Sequence, residues 1–511
     1  MMTARPFDNR EIIGGYLITS LDQLRAEVRR YRPVEVLQLS RWLAMRLRDE
    51  PTHLYEFPIP REIDPAGRVG RVALNAAALL ARLSLVEGSS LAIESLDRHG
   101  ALRLFGLIAG LYEPDEPVTL LINTWDEQAW YQRDLGHAFG RGLMWYREIP
   151  RMLDDPKIDI PTAFEAHLGM SVDDFFGLAF LIYSIVSSPA QTPYQYLTTL
   201  RPGVLGQRVQ DLVRPEALTK LVDAMSVDQD GYRRLAAAHN FVSSGTGRYD
   251  FDPLRVRPII NIKGSGQIVP IPDLLVWFVD EQPYRLLRAA FRGNGRSNPF
   301  ADFFGKEIFE RYVGLLAAEQ MPTARVISER ETEYGGGRSG PDWIIVQGTV
   351  GIAIEVVIAE VSQTPRGGEL AALNKVIADS IAPRASKVPE KIEGLLRSRP
   401  DLRLDAVERW YRLVVTKSPL PWPAYMKPKL VDPVVAEHAQ PFHLLGIEEF
   451  ESLLASESEY GVTNVLREAE QTEDSADFRT LLHRIYQRDN HPFYFGRLNA
   501  LRDDLLQQFG L

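Results

Sequence analysis

Two acidic residues, Asp342 and Glu355, lie on neighbouring apolar segments that a short glycine-containing turn, Gln347–Gly351, connects. This pattern predicts two antiparallel strands joined as a hairpin. Because side chains two residues apart share a face of a strand, both carboxylates are expected on one face of the sheet. Paired carboxylates suit hard cations such as Mg²⁺ or Mn²⁺, and such an ion can generate hydroxide for attack on phosphorus. We therefore expect these two residues to bind one divalent cation.

The register of the hairpin depends on the centre of its turn. With the turn centred between Thr349 and Val350, Glu355 lies opposite Ile344 and Asp342 lies further along the same face. This arrangement still leaves the two carboxylates close enough to share an ion.

Other interpretations of the two acids are open. A turn acid such as Asp342 can be satisfied by backbone amides alone. Glu355, however, interrupts the run Ile352–Ile358, which is typical of a strand buried on both faces. A carboxylate there needs a cation, a partner or a raised pKa, and Arg338 or Lys375 could be a structural partner.

The surrounding sequence predicts an alternation of helices and strands. Upstream lie two expected strands, Pro258–Lys263 and Leu274–Val279. The elements expected next are a helix from Phe300 to about Gln320, a strand over Ala324–Ser328, strands over Asp342–Val346 and Ile352–Ala359, a helix that starts near Glu369 and is broken by Pro383 and Pro389, and strands over Tyr411–Thr416 and Phe442–Leu445.

This order of elements resembles the PD-(D/E)xK, or restriction-endonuclease-like, nuclease superfamily. Pro341-Asp342 matches its PD motif and Glu355 its second acid, although the resemblance covers less than a quarter of the chain. The resemblance implies a nuclease that uses Mg²⁺ or Mn²⁺, with Glu310 of the preceding helix as a third metal-binding and catalytic residue. Helical periodicity does not distinguish Glu310 from Glu307, which is the second choice.

The chain departs from the family at one position. The family has a lysine two residues after the second acid, where this chain has Val357. Either a lysine of the following helix replaces it, with Lys375 the first candidate and Lys387 or Lys391 less favoured, or the fold has lost catalysis. An inactive chain would then act as a module that binds nucleic acid or a protein.

The predicted fold class is α/β in several domains, with a mainly helical N-terminal region before a restriction-endonuclease-like mixed sheet that helices flank. The expected boundaries are 1–245 for the helical domain, 246–299 for a small β-containing linker, 300–450 for the nuclease-like domain and 451–511 for a helical extension. No function can be assigned to 1–245 from its sequence.

Composition narrows the classes of function. The chain has no cysteine, which excludes disulfides, thiolate zinc sites and cysteine nucleophiles. Its net charge of −10 does not favour non-specific nucleic-acid binding, but residues 285–417 carry a net +3. We expect DNA as the partner, RNA as an alternative and a protein partner for the acidic helical region. No membrane association and a cytoplasmic location are expected, and the resemblance implies a role in host defence or DNA maintenance.

Overall fold

The computed structural model describes residues 12–13, 16–17, 19–49, 56–58, 71–92, 94–111, 135–187, 214–238, 252–264, 266–292, 298–334, 337–359, 376–418, 442–471, 481–482 and 496–508. Helices flank two mixed sheets, as the sequence predicts for an α/β protein.

The helices account for most of the described chain. In chain order they are α1 (Leu21–Val28), α2 (Pro33–Asp49), α3 (Leu74–Glu87), α4 (Arg98–Ala109), α5 (Leu135–Leu143), α6 (Ile160–Leu168), α7 (Val172–Val186), α8 (Pro215–Met225), α9 (Gln229–Ala238), α10 (Asp273–Ala290), α11 (Pro299–Phe303), α12 (Glu310–Gln320), α13 (Ala382–Ser398), α14 (Ile447–Ala455), α15 (Val462–Gln471) and α16 (Gly496–Gln508). Three π-helical turns adjoin them: Met144–Glu148 after α5, Phe304–Phe309 between α11 and α12, and Ile377–Ile381 before α13.

The strands form two sheets and two short pairs. In chain order they are β1 (Ile12–Ile13), β2 (Tyr16–Leu17), β3 (Glu56–Pro58), β4 (Arg71–Ala73), β5 (Ser226–Asp228), β6 (Ile259–Ile262), β7 (Gly266–Ile268), β8 (Arg325–Ser328), β9 (Trp343–Gln347), β10 (Val350–Val357), β11 (Arg409–Thr416) and β12 (His443–Gly446). The larger sheet has the order β12-β11-β10-β9-β8 and the smaller one β5-β6-β7.

The larger sheet is antiparallel on one side and parallel on the other. β8, β9 and β10 form an antiparallel meander, whereas β11 and β12 run parallel to β10. The predicted hairpin is therefore confirmed. A parallel neighbour needs a crossover connection, and α13 lies within the one between β10 and β11.

The two faces of this sheet pack on different helices. Alternate residues of β10, such as Ile354, pack in the main hydrophobic cluster with side chains of α12 and α14. Ala353, on the opposite face, packs against Val388 and Ile392 of α13. Glu355 lies two residues after Ala353, so its side chain belongs to the face that α13 covers.

The register of the hairpin differs from the prediction by two residues. Ile354 pairs with Trp343 at the end of the ladder, and the same register continued by one residue sets Asp342 opposite Glu355. The loop is Gly348–Thr349, and Gly348 has a φ of +59°. A positive φ at the first loop residue is the requirement of a type II′ turn, which glycine meets without strain. Asp342 itself precedes β9, and its carboxylate bonds to the N–H of Val356, the residue after Glu355.

Two other predictions about elements are wrong. Leu274–Val279 lies within α10 rather than in a strand, because nearly every side chain in the first three turns of this helix is buried and the helical period is hidden. α13 is not broken by its prolines. Pro383 lies in the first turn of α13, directly after the π-helical turn Ile377–Ile381, and Pro389 is accommodated in the interior. The expected start of this helix near Glu369 lies outside the described residues.

A buried ion-pair network connects the N-terminal helices to the larger sheet. Arg141 of α5 has no solvent exposure and donates to Asp280 of α10 and to Glu451 of α14. Lys417, just after β11, donates to Glu281 of α10. α10 thus holds both buried cations.

Across the described ranges, no single helix is long and apolar enough to cross a membrane. One pair, α6 and α7, which meet at a bend of 56°, passes that test only when the two helices are taken together.

Candidate active site

The hairpin holds Asp342 and Glu355 at one end of the larger sheet. Both residues are buried, at 6% and 2% exposure. Asp342 Oδ2 accepts a hydrogen bond of 2.7 Å from the backbone N–H of Val356, which ties the start of β9 to β10. One backbone donor satisfies only part of a buried carboxylate, so further charge or hydrogen bonds must stabilise this pair.

Lys391 of α13 supplies a cation at this pair. Its Nζ lies 2.5 Å from Glu355 Oε1, and its side chain is 25% exposed. Lys391 was one of the less favoured candidates in the sequence, whereas the first candidate, Lys375, lies outside the described residues. Val357, at the family's lysine position, is 4% exposed and presents an apolar surface. The positive charge beside Glu355 therefore comes from the helix and not from the strand.

Glu310 and Glu329 complete a cluster with Asp342, which we call the acidic triad. One carboxylate oxygen from each of the three lies within 4.8 Å of the others. Glu310 is the first residue of α12, directly after a π-helical turn. Its backbone carbonyl accepts a 2.8 Å hydrogen bond from the indole N–H of Trp343, which fixes the start of α12 beside β9. The cluster thus joins a helix to the hairpin.

Glu329 is the residue of this cluster that the sequence interpretation missed. It follows β8, and its backbone N–H donates to the carbonyl of Asp342 at 2.9 Å. Its side chain accepts from Lys306 Nζ at 2.5 Å and from Ser339 Oγ at 2.7 Å. An acid just after a strand has no feature in the sequence that marks it as a site residue. The nearby Glu331 has a different role, because its carboxylate accepts hydrogen bonds from the backbone N–H and the hydroxyl of Ser328.

Glu307, the second choice from the sequence, is not part of the acidic triad. Its carboxylate pairs with Arg330 at 3.5 Å. The structure therefore separates two glutamates that helical periodicity could not.

Burial and like charge raise the pKa values of three of these acids. Burial, reinforced by the charge of Asp342, raises the pKa of Glu310 to about 8. The same two causes raise the pKa of Glu355 to about 7, although Lys391 opposes the shift. Burial also raises the pKa of Asp342, which the bond from Val356 partly offsets. Burial therefore favours the protonated forms of these three acids, and their neighbours only partly oppose it.

Glu329 behaves differently. Burial would raise its pKa, but the hydrogen bonds from Lys306 and Ser339 lower it below the usual value. Unlike Glu310, Asp342 and Glu355, Glu329 is therefore stabilised in its charged form, by Lys306 and Ser339.

The acidic triad and Glu355 line one open cleft with a volume of about 1030 Å³. Its basic side chains come from α10, from the π-helical turn before α12 and from α13: Arg288, Lys306, Arg384, Lys387 and Lys391. Arg384 donates to the carbonyl of Val356 at 2.9 Å and lies 3.8 Å from Asp342 Oδ2. The cleft therefore combines buried acids at its floor with cations on its walls.

Comparisons of the chain with family models, with curated proteins and with solved structures found no match.

Proposed function

We propose that this chain is a divalent-metal-dependent nuclease that hydrolyses phosphodiester bonds, with DNA as its substrate. The observation that carries the proposal is that one hairpin brings the Asp342 carboxylate onto the N–H of Val356, the residue after Glu355, with the Lys391 ammonium 2.5 Å from Glu355. Two acids and a lysine in a cleft suit phosphodiester hydrolysis, because a bound cation and a positive charge near the phosphate both lower the barrier of that reaction.

The arrangement of elements around the site supports this proposal. A long helix (α11 and α12) precedes the meander β8-β9-β10, and α13 leads to the parallel strand β11. This order is similar to the restriction-endonuclease-like core that the Pro341-Asp342 motif suggests. The likeness of order is a reason to favour nucleic acid over other phosphate esters.

The donor set fits a hard divalent cation. The acidic triad offers carboxylate oxygens within 4.8 Å of one another, and oxygen ligands are those that Mg²⁺ and Mn²⁺ prefer. Burial, with neighbouring acids as a smaller cause, raises the pKa values of Glu310 and Asp342, and a bound cation would favour their charged forms. Asp342 and Glu310 are proposed metal-binding residues, with Glu329 added to them as the third member of the triad. Glu355 is proposed as a further metal-binding residue, although it lies outside the triad and pairs with Lys391. When bound, the ion would lower the pKa of a water molecule and stabilise charge on the phosphate.

The protein side chains have separate tasks in this proposal. Lys391 takes the part of the missing strand lysine, because its ammonium holds Glu355 and places positive charge beside the reacting phosphate. Glu329, held by Lys306 and Ser339, keeps its negative charge towards Glu310 and Asp342.

Replacing Glu355 with glutamine tests the function. Glu355→Gln keeps the size of the side chain and a hydrogen-bond acceptor for Lys391, but removes the charge. We expect Mg²⁺- or Mn²⁺-dependent cleavage of plasmid and linear DNA to fall by about 10²-fold or more. Glu307→Gln is the matched control, since Glu307 lies on the same segment as Glu310 but outside the acidic triad.

Circular dichroism of both variants verifies folding. Cleavage that persists in Glu355→Gln, or that chelation of metal does not stop, would remove the nuclease assignment.

A binding module without catalysis is the second candidate, and Val357 is the observation that favours it, since it brings no charge to the strand. This alternative would be supported if the wild-type protein binds DNA but cleaves neither DNA nor RNA in the presence of Mg²⁺ or Mn²⁺.

A further inference from the structure

Helix α13 carries a row of basic side chains along one wall of the cleft. Arg384, Lys387 and Lys391 all line it, at positions i, i+3 and i+7. Residues at this spacing lie on one face of a helix. With a rise of about 1.5 Å per residue, the row extends for about 10 Å along the helix axis.

Two members of this row are engaged with the floor of the site. Lys391 contacts Glu355, and Arg384 contacts Val356 and lies near Asp342. The Lys391 ammonium and the Arg384 guanidinium thus both contact the hairpin that carries the two acids. We assign these two cations to the acidic residues and not to the substrate strand.

Lys387 differs from its two neighbours. It is exposed, it lines the same cleft, and within the described part of the chain no hydrogen bond or ion pair engages its ammonium group. It lies one helical turn, about 6 Å, before Lys391, on the same face. Lys387 is thus an exposed cation that lines the cleft, one helical turn from the lysine that contacts Glu355.

We propose that Lys387 binds a backbone phosphate of the nucleic-acid strand in the ground state, next to the phosphate that is cleaved. This inference rests on the proposed function. The spacing of one helical turn is similar to that between successive phosphates of a strand, so Lys391 and Lys387 can serve neighbouring phosphates. A contact to the backbone carries no sequence information, so Lys387 contributes to affinity and not to sequence choice.

Steady-state cleavage by Lys387→Ala tests the inference. We expect KM for duplex DNA to rise by about tenfold, the value of one charge-assisted contact, with kcat within about twofold of wild type. The slope of log KM against log salt concentration should decrease in magnitude by about one unit. The rise in KM should be the same for duplexes of unrelated sequence, and Lys387→Arg should restore the wild-type values.

Lys157→Ala is the matched control, because Lys157 is an exposed lysine that is not part of the cleft. An unchanged KM and salt slope in Lys387→Ala, equal to those of Lys157→Ala, would overturn the inference while leaving the nuclease assignment intact. A loss confined to kcat would also overturn it. Absence of metal-dependent cleavage in the wild-type protein contradicts the proposed function instead.

Discussion

At the scale of single residues, the site is dominated by carboxyl groups that burial and mutual repulsion keep partly protonated. Glu310 and Glu355 have pKa values near 8 and 7, against an ordinary value of 4.5. A cation that binds such groups must displace protons, so the strength of metal binding depends on pH. The chemistry of the site is therefore coupled to the stability of the fold.

The sign of this coupling gives a testable pH dependence. A carboxyl group whose pKa is raised on folding stabilises the protein fully below its unfolded value of 4.5, and this contribution is lost as pH rises through 7 to 8. Without metal, we expect the Tm to fall between about pH 5 and about pH 9. Added Mg²⁺ should raise the Tm more at the higher pH, because the ligands are then ionised. Differential scanning fluorimetry with chelator and with Mg²⁺ measures both effects.

Glu310→Gln is the informative variant for this experiment. An amide does not titrate, so the fall in Tm should become shallower and the Mg²⁺-dependent rise smaller. A pH profile identical to that of the wild type would show that Glu310 is not the source of the coupling.

At the scale of elements, the sequence was most informative where the pattern is local. The two continuous apolar runs and the glycine turn between them predict β9 and β10, and the structure confirms both strands. The register was wrong by two residues because it depends on which residue takes the positive φ, and Gly348 and Gly351 are both candidates in the sequence. Hydrophobic pattern alone does not choose between registers two residues apart, because both leave the same face buried.

The positions of Lys391 on α13 and of Glu310 at the start of α12 were harder to predict from the sequence. Expecting Pro389 to break α13 hides the row that Arg384, Lys387 and Lys391 form on one continuous helix. The π-helical turn Phe304–Phe309 shifts the helical phase just before Glu310, so a constant period cannot place that residue. The unbroken helix and the π-helical turn are both features of the backbone that the sequence pattern does not reveal.

The contact between α12 and β9 depends on a glycine. A Cβ at Gly314 would lie 2.0 Å from the ring of Trp343, the residue next to Asp342. We expect Gly314→Ala to displace Trp343 and destabilise the fold by about 1–3 kcal/mol, as overpacking does. Cleavage activity should fall as well, because Trp343 also holds the carbonyl of Glu310.

Gly106→Ala provides the matched control within helix α4, since a Cβ there meets nothing within 4 Å. It should be neutral or stabilise the protein by about 0.5–1 kcal/mol. Chemical denaturation of both variants checks this difference, and equal stabilities would contradict the close packing of α12 on Trp343.

At the scale of the whole molecule, α10 connects regions that are far apart in sequence. It carries Asp280 and Glu281, which hold the buried cations Arg141 and Lys417. The main hydrophobic cluster likewise contains side chains from Ala138 to Leu505. The larger sheet is therefore supported by helices on both sides of it in the chain.

Replacing Arg141 tests the importance of this connection. Arg141→Met leaves Asp280 and Glu451 buried without their cation, so we expect a loss of about 3–5 kcal/mol in the free energy of unfolding. Arg397→Met, which removes only an exposed pair with Glu393, should change stability by less than about 0.5 kcal/mol. Urea denaturation followed by circular dichroism measures both, and a wild-type midpoint for Arg141→Met would show that the buried network is dispensable.

The order in which ligands enter the cleft follows from the charges of its walls. The described lining residues include six acidic and five basic side chains, a net charge of −1 when all are ionised. One divalent ion changes this balance to a net positive charge. The pKa values of Glu310 and Glu355, about 8 and about 7, mean that the net negative charge is reached only as the pH rises through that range. If the cleft binds such an ion as proposed, metal loading then turns a cleft of net negative charge into one that attracts a polyanion, and the nucleic acid follows the metal.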